Sequence, residues 1–197
     1  MQEIILASSS PRRMEILKDL EIAYRVEEPS FDEEDYINKN LKQNDDFCEL
    51  AKRLSFFKGE SVAKSFPNNL VLSADTIVVV QERILGKPNN LHQAYEYLGL
   101  LSGKAHKVIT GFSLMHINYN YFFSDHELTH VYVKELTEKD INRYLKEEYV
   151  MDAAGAYKIQ SFFFKYIDKI EGFYHNVMGL PASRVYKAIN VFFNKHY

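Results

Sequence analysis

Residues 70–80 read LVLSADTIVVV, and this run decides the fold. Its near-continuous apolar character predicts a β-strand that is covered on both faces. A polar triplet, Ser73, Asp75 and Thr76, interrupts the run. A carboxylate inside so apolar a segment costs free energy unless it is paired or binds a metal. Asp75 is therefore a candidate general base or metal ligand. The alternative is that the strand ends at Ser73 and that Asp75 caps a turn.

A second strand and a helix are predicted near the start of the chain. Residues 4–7 form a short apolar run, and Ser8-Ser-Ser10 and Pro11 follow it. Serine before proline is typical of the N-cap and the first position of a helix. A strand that runs into a helix exposes backbone N–H groups, which bind anions. Ser8, Ser10, Arg12 and Arg13 would add donors to such an anion site. The alternative is a capped helix with two solvated arginines.

The rest of the chain alternates between predicted strands and helices. We expect strands at 23–27, 107–117 and 121–133, the last two joined as a hairpin, and a short strand followed by a turn at 84–88. We expect helices from Asn44 or Asp45 through Val62, and at 91–101, 137–146 and 181–193. The acidic segment 28–46 has no lasting periodicity and predicts a loop with a helical turn. Because there is no repeat and no linker, we predict one α/β domain over residues 1–197.

Composition limits the class of protein. Of the 197 residues, 46% are hydrophobic and 26% charged, the balance of an ordinary globular protein. The net charge of −3 gives no support to nucleic-acid binding. The single cysteine, Cys48, excludes an intrachain disulfide and a multi-cysteine zinc site. No signal-peptide pattern and no apolar run of membrane-spanning length is visible. We therefore expect a cytoplasmic protein that does not bind membranes.

Other polar residues are weaker candidates. Lys58 lies on a predicted helix and Lys87 in a Gly-Lys-Pro turn, and lysines in such places are most often solvated. The acidic cluster at 32–35, which includes Glu33, could help to hold a divalent cation, or it could be a hydrated loop. His106 has no second histidine at metal-ligand spacing. The amide of Gln160 could contact the edge of a nucleotide base.

Together, six motifs resemble the Maf family, within the inosine-triphosphate-pyrophosphatase-like superfamily. In chain order they are Leu6-Ala-Ser-Ser-Ser-Pro-Arg-Arg13, Asp32-Glu33, Ala74-Asp-Thr-Ile-Val78 with Ile84-Leu-Gly-Lys-Pro88, Leu101-Ser-Gly103 with His106-Lys-Val108 and Thr110, Ala154-Gly-Ala-Tyr-Lys-Ile-Gln160, and Asn176-Val-Met-Gly-Leu-Pro181. Six motifs in the same order are far more specific than any one of them. The resemblance implies a mixed, forked β-sheet flanked by helices, with two lobes around a central cleft. It also implies metal-dependent hydrolysis of a nucleoside triphosphate between its α- and β-phosphates.

The resemblance also implies roles for single residues. Ala-Asp-Thr at 74–76 and Tyr-Lys-Ile-Gln at 157–160 favour the subgroup that acts on dTTP, UTP and modified pyrimidine nucleotides. By position, Asp75 matches the proton acceptor of that subgroup, and its specificity residues match Arg12, Thr76 and Gln160. We expect the triphosphate to be held by Ser8, Ser10, Arg13, Lys58 and Lys87. Mg²⁺ or Mn²⁺ would be held by Asp75 and Glu33.

The chain departs from the family pattern at several positions. The family usually has glycine where this chain has Lys158 and Ser161, and Gly-Glu-Pro where Glu148-Tyr-Val stands. Its Ser-Asn-Val motif is His175-Asn-Val here. These departures concern the base-reading side rather than the phosphate side. Two alternatives stay open: a 7-methyl-GTP pyrophosphatase, which is the other subgroup of the family, and a nucleotide-binding regulator of cell division, which the family's association with septum formation suggests. A homodimer is compatible with the sequence, which does not fix the oligomeric state.

Overall fold

The structure is a computed structural model that describes residues 2–41 and 46–196. Its strands are β1 (Ile4–Ala7), β2 (Tyr24–Val26), β3 (Val71–Val80), β4 (Arg83–Leu85), β5 (Ala105–His116), β6 (Tyr121–Val133) and β7 (Ile167–Glu171). Its helices are α1 (Pro11–Asp19), α2 (Glu33–Asn40), α3 (Phe47–Ala63), α4 (Leu91–Leu101), α5 (Glu138–Glu147), α6 (Tyr174–Met178) and α7 (Ala182–His196). Two short 3-10 segments cover Ala154–Ala156 and Phe162–Tyr166.

The strands form one seven-stranded sheet in the order β2-β1-β3-β5-β6-β7, and β4 pairs with β3 beside this path. β1 runs parallel to both β2 and β3, with Leu6 opposite Leu72. β4 is antiparallel to β3, and β7 is antiparallel to β6. The predicted mixed α/β architecture is therefore confirmed.

The run at 70–80 forms the long buried strand that the sequence predicts. In β3 every residue is buried except Thr76, which is half-buried. Ser73 Oγ donates a hydrogen bond to the carbonyl of Ser55 on α3 at 2.6 Å. Because the strand continues to Val80, the alternative in which it ends at Ser73 and Asp75 caps a turn is wrong.

The chain forms two compact units. The first consists of Met1–Asp75, Thr110–Glu127 and Gly179–Tyr197, and the second of Thr76–Ile109 and Leu128–Met178. The chain passes from one unit to the other within β3, β5 and β6 and again after Met178. Each unit is therefore assembled from segments that are far apart in the sequence.

In the first unit, α3 packs closely on the sheet because two glycines leave room for it. A Cβ at Gly111 of β5 would lie 2.2 Å from the carbonyl oxygen of Ala51 on α3. A Cβ at Gly59 would lie 2.6 Å from Ser73 Oγ of β3. Neither position can accept a side chain without movement of the backbone or of a buried group. This close approach brings Lys58, the neighbour of Gly59, against β3.

In the second unit, α4 lies against α5 and against the 3-10 segment Ala154–Ala156. α5 starts with the predicted capping box, in which Thr137 Oγ accepts from Asp140 N–H at 3.2 Å and Asp140 Oδ2 accepts from Thr137 N–H at 3.0 Å. Gly155 has a φ of +70°, and a Cβ there would lie 3.1 Å from Val78 Cγ1. A side chain at this position would be strained as well as crowded.

The structure corrects several local predictions. The segment predicted as a loop contains α2, whose N-cap Asp32 accepts a hydrogen bond from Asp35 N–H at 2.9 Å. The N-cap of α3 is Asp46, whereas the predicted caps, Asn44 and Asp45, lie outside the described residues. The short helix α6 was not predicted, because five residues are too few to show a helical period. No helix among the described residues is both long and apolar enough to cross a membrane.

Candidate functional site

The centre of the candidate site is an ion cluster in the first unit. Lys58 Nζ contacts both Asp75 Oδ1 and Glu33 Oε1. Lys58 and Asp75 are only 6% and 3% exposed, whereas 35% of the Glu33 side chain is exposed. The three residues come from three elements: Lys58 from α3, Asp75 from β3 and Glu33 from the first position of α2. The buried carboxylate of the strand is thus compensated by an amine from the helix packed on it.

The pKa values of the two carboxyl groups are shifted in opposite directions. Burial raises the pKa of Glu33, the charge of Asp75 raises it further, and Lys58 opposes both effects. Burial alone would also raise the pKa of Asp75, but Lys58, a hydrogen bond from Glu33 and the charge of Arg13 hold it below its ordinary value. Asp75 therefore keeps the negative charge, and Glu33 is the first of the two to take a proton.

Arg13 supplies a second buried positive charge to the same cluster. Its Nε donates to the carbonyl of Gly179 at 2.8 Å, and its Nη1 donates to Ser8 Oγ at 2.9 Å. Burial lowers the pKa of Arg13, whereas the charges of Asp75 and Glu33 raise it. Guanidinium groups stay protonated in proteins, so Arg13 remains a cation.

The loop between β1 and α1 carries the remaining predicted phosphate ligands of this unit. Ser10 is the N-cap of α1, as predicted, but its side chain forms no capping hydrogen bond. The Ser10 N–H donates to Ser8 Oγ at 3.3 Å. Arg12 is half-buried, and its charge lowers the pKa of Arg13. The Ser8 hydroxyl, the Arg13 guanidinium and the N-terminus of α1 therefore lie close together, and groups of these kinds can bind phosphate.

The other predicted site residues belong to the second unit. Thr76 is the half-buried residue after Asp75 on β3. Lys87 is exposed in the turn after β4, and the preceding Gly86 accepts a hydrogen bond from Gly155 N–H at 3.1 Å. Gln160 is exposed and lines an open cavity of about 430 Å³ together with aromatic and charged side chains, among them Phe164, Asp168 and Tyr174. The structure thus divides the predicted residues between the two units.

The acidic cluster at 32–35 separates into different roles. Asp32 caps α2, and Asp35 forms an exposed ion pair with Lys39 at 2.8 Å. Glu33 points instead to Lys58 and Asp75. Of this cluster, Glu33 is therefore the residue that the structure places at the candidate site.

The adjacent carboxyl groups of Asp75 and Glu33 are a suitable donor pair for a divalent cation. Mg²⁺ usually binds one or two carboxylates and completes its octahedron with water and substrate phosphate oxygens. Within residues 2–41 and 46–196, no group of three or more His, Cys, Asp or Glu side chains could hold a metal ion. Asp75 and Glu33 are therefore the two side chains of the candidate site that could contribute oxygen ligands to such a cation.

One buried pair in the second unit was not predicted. The hydroxyl of Tyr157 lies 2.8 Å from Nε2 of His106, and His106 is 2% exposed. Burial lowers the pKa of His106 to about 4, so the ring is neutral at physiological pH. Both residues occur in motifs noted above, but a separation of 51 positions gives no sign of their contact.

Comparison with known proteins identifies the family. The family model described as Maf-like protein matches residues 3–192. The dTTP/UTP pyrophosphatase of Alkaliphilus oremlandii is 42% identical over 186 residues, which cover 94% of this chain and 93% of that protein. The enzyme of the same name from Desulforamulus reducens is 38% identical, and the alignment covers 98% of this chain and 97% of that protein. The one from Caldicellulosiruptor saccharolyticus is 37% identical, and the alignment covers 94% of this chain and 92% of that protein.

Among solved structures, the Staphylococcus aureus Ham1 protein aligns with a TM-score of 0.43 and 15% identity. The alignment covers 67% of this chain and 72% of that one. The match to the family model, by contrast, spans almost the whole sequence. The chain therefore belongs to the Maf-like protein family.

Proposed function

We propose that this chain hydrolyses dTTP and UTP to the nucleoside monophosphate and pyrophosphate, with the help of a divalent cation. The relatives named dTTP/UTP pyrophosphatases align with it over nearly their whole length. The observation that carries the proposal is the carboxylate of Asp75, which is buried on a strand and pairs with the buried amine of Lys58. A buried charge in such surroundings is typical of a catalytic site.

The triphosphate is held by the positive groups of the first unit. In the structure, Lys58 forms ion pairs with Asp75 and Glu33. An incoming phosphate competes for the Lys58 amine, while the two carboxylates are left for the cation that accompanies the phosphate. Every charge then keeps a partner when the substrate binds. Ser8, Ser10, Arg13 and the N-terminus of α1 contribute further donors, and we also assign Lys87 to the phosphates.

Asp75 orients the attacking water and accepts its proton. Its lowered pKa keeps the carboxylate ionised at neutral pH, which is the state that a proton acceptor needs. The water oxygen forms a bond to the α-phosphorus, the bond from the α-phosphorus to the bridging oxygen breaks, and that oxygen leaves with pyrophosphate. Lys58 and Arg13 stabilise the negative charge that develops on the leaving group. Asp75 and Glu33 would hold Mg²⁺ or Mn²⁺, which would supply additional neutralisation of the phosphate oxygens.

We assign selection of the base to Arg12, Thr76 and Gln160, following the resemblance to the pyrimidine-specific subgroup. The oxo groups of uracil and thymine are acceptors that suit an Arg guanidinium and the N–H of a Gln amide. Modified pyrimidine nucleotides that keep these oxo groups belong to the same proposed substrate class.

A nucleotide panel with product separation tests the proposal. The protein is incubated with dTTP, UTP, CTP and 7-methyl-GTP, in Mg²⁺, in Mn²⁺ and in excess chelator. We expect monophosphate and pyrophosphate from dTTP and UTP, and no turnover in chelator. A nucleoside diphosphate as the main product would contradict the reaction, and faster turnover of 7-methyl-GTP would contradict the substrate. Nucleotide binding without turnover of any compound would favour the regulator of cell division.

We further propose that residues 1–197 act as one domain in the cytoplasm, where nucleotide substrates and reduced thiols such as Cys48 occur together. The net charge of −3 provides no attraction to nucleic acid. Light scattering after size-exclusion chromatography distinguishes a monomer from a homodimer, and an electrophoretic shift assay tests the expected lack of nucleic-acid binding.

A further inference from the structure

The turn that carries Gln160, at residues 157–161, is fastened to the second unit by its neighbours rather than by Gln160. The Gln160 side chain is exposed. Tyr157 and Ile159 are buried, and Lys158 and Ser161 are half-buried. The direction in which the Gln160 amide points therefore depends on the backbone that these neighbours hold.

The Lys158 side chain ties the turn to the segment after α5. Its Nζ lies 3.1 Å from Asp152 Oδ1 and 3.5 Å from Glu148 Oε1. The same ammonium lies 5.6 Å from the centre of the Tyr149 ring. Only 15% of the Lys158 side chain is exposed, so solvent screens these contacts less than it screens an ordinary surface ion pair. Lys158 thus links the turn to two carboxylates and one aromatic ring.

Hydrogen bonds close a ring around the backbone of the turn. The N–H of Lys158 donates to the hydroxyl oxygen of Tyr144 at 3.0 Å, and Ser161 Oγ donates to the carbonyl of Lys158 at 3.0 Å. The hydroxyls of Tyr144 and Ser161 lie 3.3 Å apart. Since Ser161 uses its hydrogen for Lys158, Tyr144 donates to Ser161. Burial raises the pKa of Tyr144 to about 12, so this hydroxyl keeps its proton.

The start of the turn has its own anchor. Tyr157 is 5% exposed, and its hydroxyl pairs with the buried His106 ring at 2.8 Å. The ring of Tyr157 also packs on Phe163, with centroids 4.9 Å apart. The backbone is therefore fixed on both sides of Gln160, which itself is left to face outward.

We infer that Lys158 and Ser161 are positioning residues for nucleotide selection, because they hold the turn so that the Gln160 amide is presented in one orientation. This inference rests on the proposed function, since it takes Gln160 to contact the base. Neither residue belongs to the ion cluster around Asp75. Their loss should therefore reduce discrimination among nucleotides and leave the chemical step intact.

Substitution of Lys158 tests the inference. Lys158→Met removes the charge and keeps most of the length, Lys158→Arg restores a cation, and Lys139→Met removes an exposed lysine of α5 as a control. We expect Lys158→Met to lower the ratio of kcat/KM for dTTP to that for CTP about tenfold, mainly through KM for dTTP. Lys158→Arg should recover most of this ratio, and Lys139→Met should leave it unchanged.

A double-mutant cycle separates positioning from general stability. In a Gln160→Ala background, Lys158→Met should have no further effect on the ratio, because no amide is left to position. Equal losses in both backgrounds would overturn the inference. Ser161→Ala, which breaks the hydrogen-bonded ring without touching the ion pairs, should reproduce the loss of discrimination. It provides the test if thermal unfolding shows that Lys158→Met does not fold.

The two proposals fail in different ways. If the wild-type protein releases no pyrophosphate from dTTP or UTP, the proposed function is wrong, and with it the role of Gln160. If the wild-type protein is active and discriminates, but Lys158→Met and Ser161→Ala keep the wild-type ratio, the positioning role alone is wrong.

Discussion

The amine of Lys58 lies in direct contact with the carboxylate of Asp75, and both side chains are almost completely buried. They meet because Gly59, next to Lys58, lets α3 approach β3 closely. Loss of one partner leaves the other as a buried charge, which typically costs about 3–5 kcal/mol. Glu33 contacts the same amine and reduces that cost when Asp75 is the residue replaced. The two residues are therefore expected to respond differently to substitution.

Replacement of Asp75 by Asn should lower the rate of hydrolysis much more than it lowers the stability of the fold. Asn keeps the size of the side chain, and Lys58 keeps Glu33 as an ionic partner. A lost general base typically lowers the rate about 10²–10⁴-fold. Pyrophosphate release and thermal unfolding are measured on the same preparation. An Asp75→Asn variant with wild-type turnover would overturn the proposed mechanism.

Replacement of Lys58 by Met should destabilise the protein by about 3–5 kcal/mol at neutral pH. Without the ammonium, burial and mutual repulsion raise the pKa values of Asp75 and Glu33 above those of the unfolded chain. The folded variant then binds more protons than the unfolded chain. Its loss of stability relative to the wild type should therefore become smaller as the pH falls from about 7 to about 5. Urea unfolding at both pH values measures the change.

Lys64→Met is the matched control for this series. Lys64 ends the same helix and pairs with Glu60 at 3.2 Å, but 67% of its side chain is exposed. Exposed pairs of this kind contribute about 0–1 kcal/mol. If Lys58→Met loses as little stability as Lys64→Met, the buried ion pair does not stabilise the fold. A loss of stability that becomes larger as the pH falls would lead to the same conclusion.

His106 should make stability depend on pH in the mildly acidic range. Burial lowers its pKa from 6.5 to about 4, so the unfolded chain takes up this proton first as the pH falls. The unfolded chain then binds more protons than the folded one, and stability decreases from about pH 6.5 to about pH 4, by up to about 3 kcal/mol. His106→Gln should flatten this part of the curve. His175→Gln, at an exposed position of α6, should not, and equal slopes for the two variants would contradict the assignment.

Gly111→Ala should destabilise the protein strongly. The new methyl group would lie 2.2 Å from the carbonyl oxygen of Ala51, so α3 must move away from β5. Overpacking of this kind typically costs about 1–3 kcal/mol or more. At Gly99 of α4, by contrast, a Cβ has no heavy atom within 4 Å, and Gly99→Ala should stabilise the helix by about 1 kcal/mol. Thermal unfolding of both variants compares the two, and a Gly111→Ala variant as stable as wild type would show that α3 is not held so closely.

Local sequence signals predicted the secondary structure where a short pattern decides it. The helix Leu91–Leu101 and the capping box at Thr137 follow from residues three or four positions apart. The strand at 70–80 follows from composition alone, because a strand buried on both faces must be apolar throughout. The helix α2 was not predicted, because its composition is polar and few apolar residues mark the helical period.

The contacts of the candidate site could not be predicted in this way. Glu33 has the same kind of neighbours as Asp32 and Asp35, and nothing in the acidic cluster shows which side chain faces Lys58. The bond between Arg13 and Gly179 depends on how β1, α1 and α7 pack. The residues of the site were predicted from the family resemblance and from the free-energy cost of burying the Asp75 carboxylate. The side chains that they contact are seen only in the tertiary structure.

The hydrogen bond from Arg13 to the carbonyl of Gly179 joins positions that are 166 residues apart. During translation, Arg13 leaves the ribosome long before its acceptor has been synthesised. A nascent chain that has not yet reached Gly179 must leave the guanidinium either hydrated or partly unsatisfied. The loop after β1 can therefore reach its final arrangement only after Gly179 has emerged, so the candidate site is completed long after its first residues have left the ribosome.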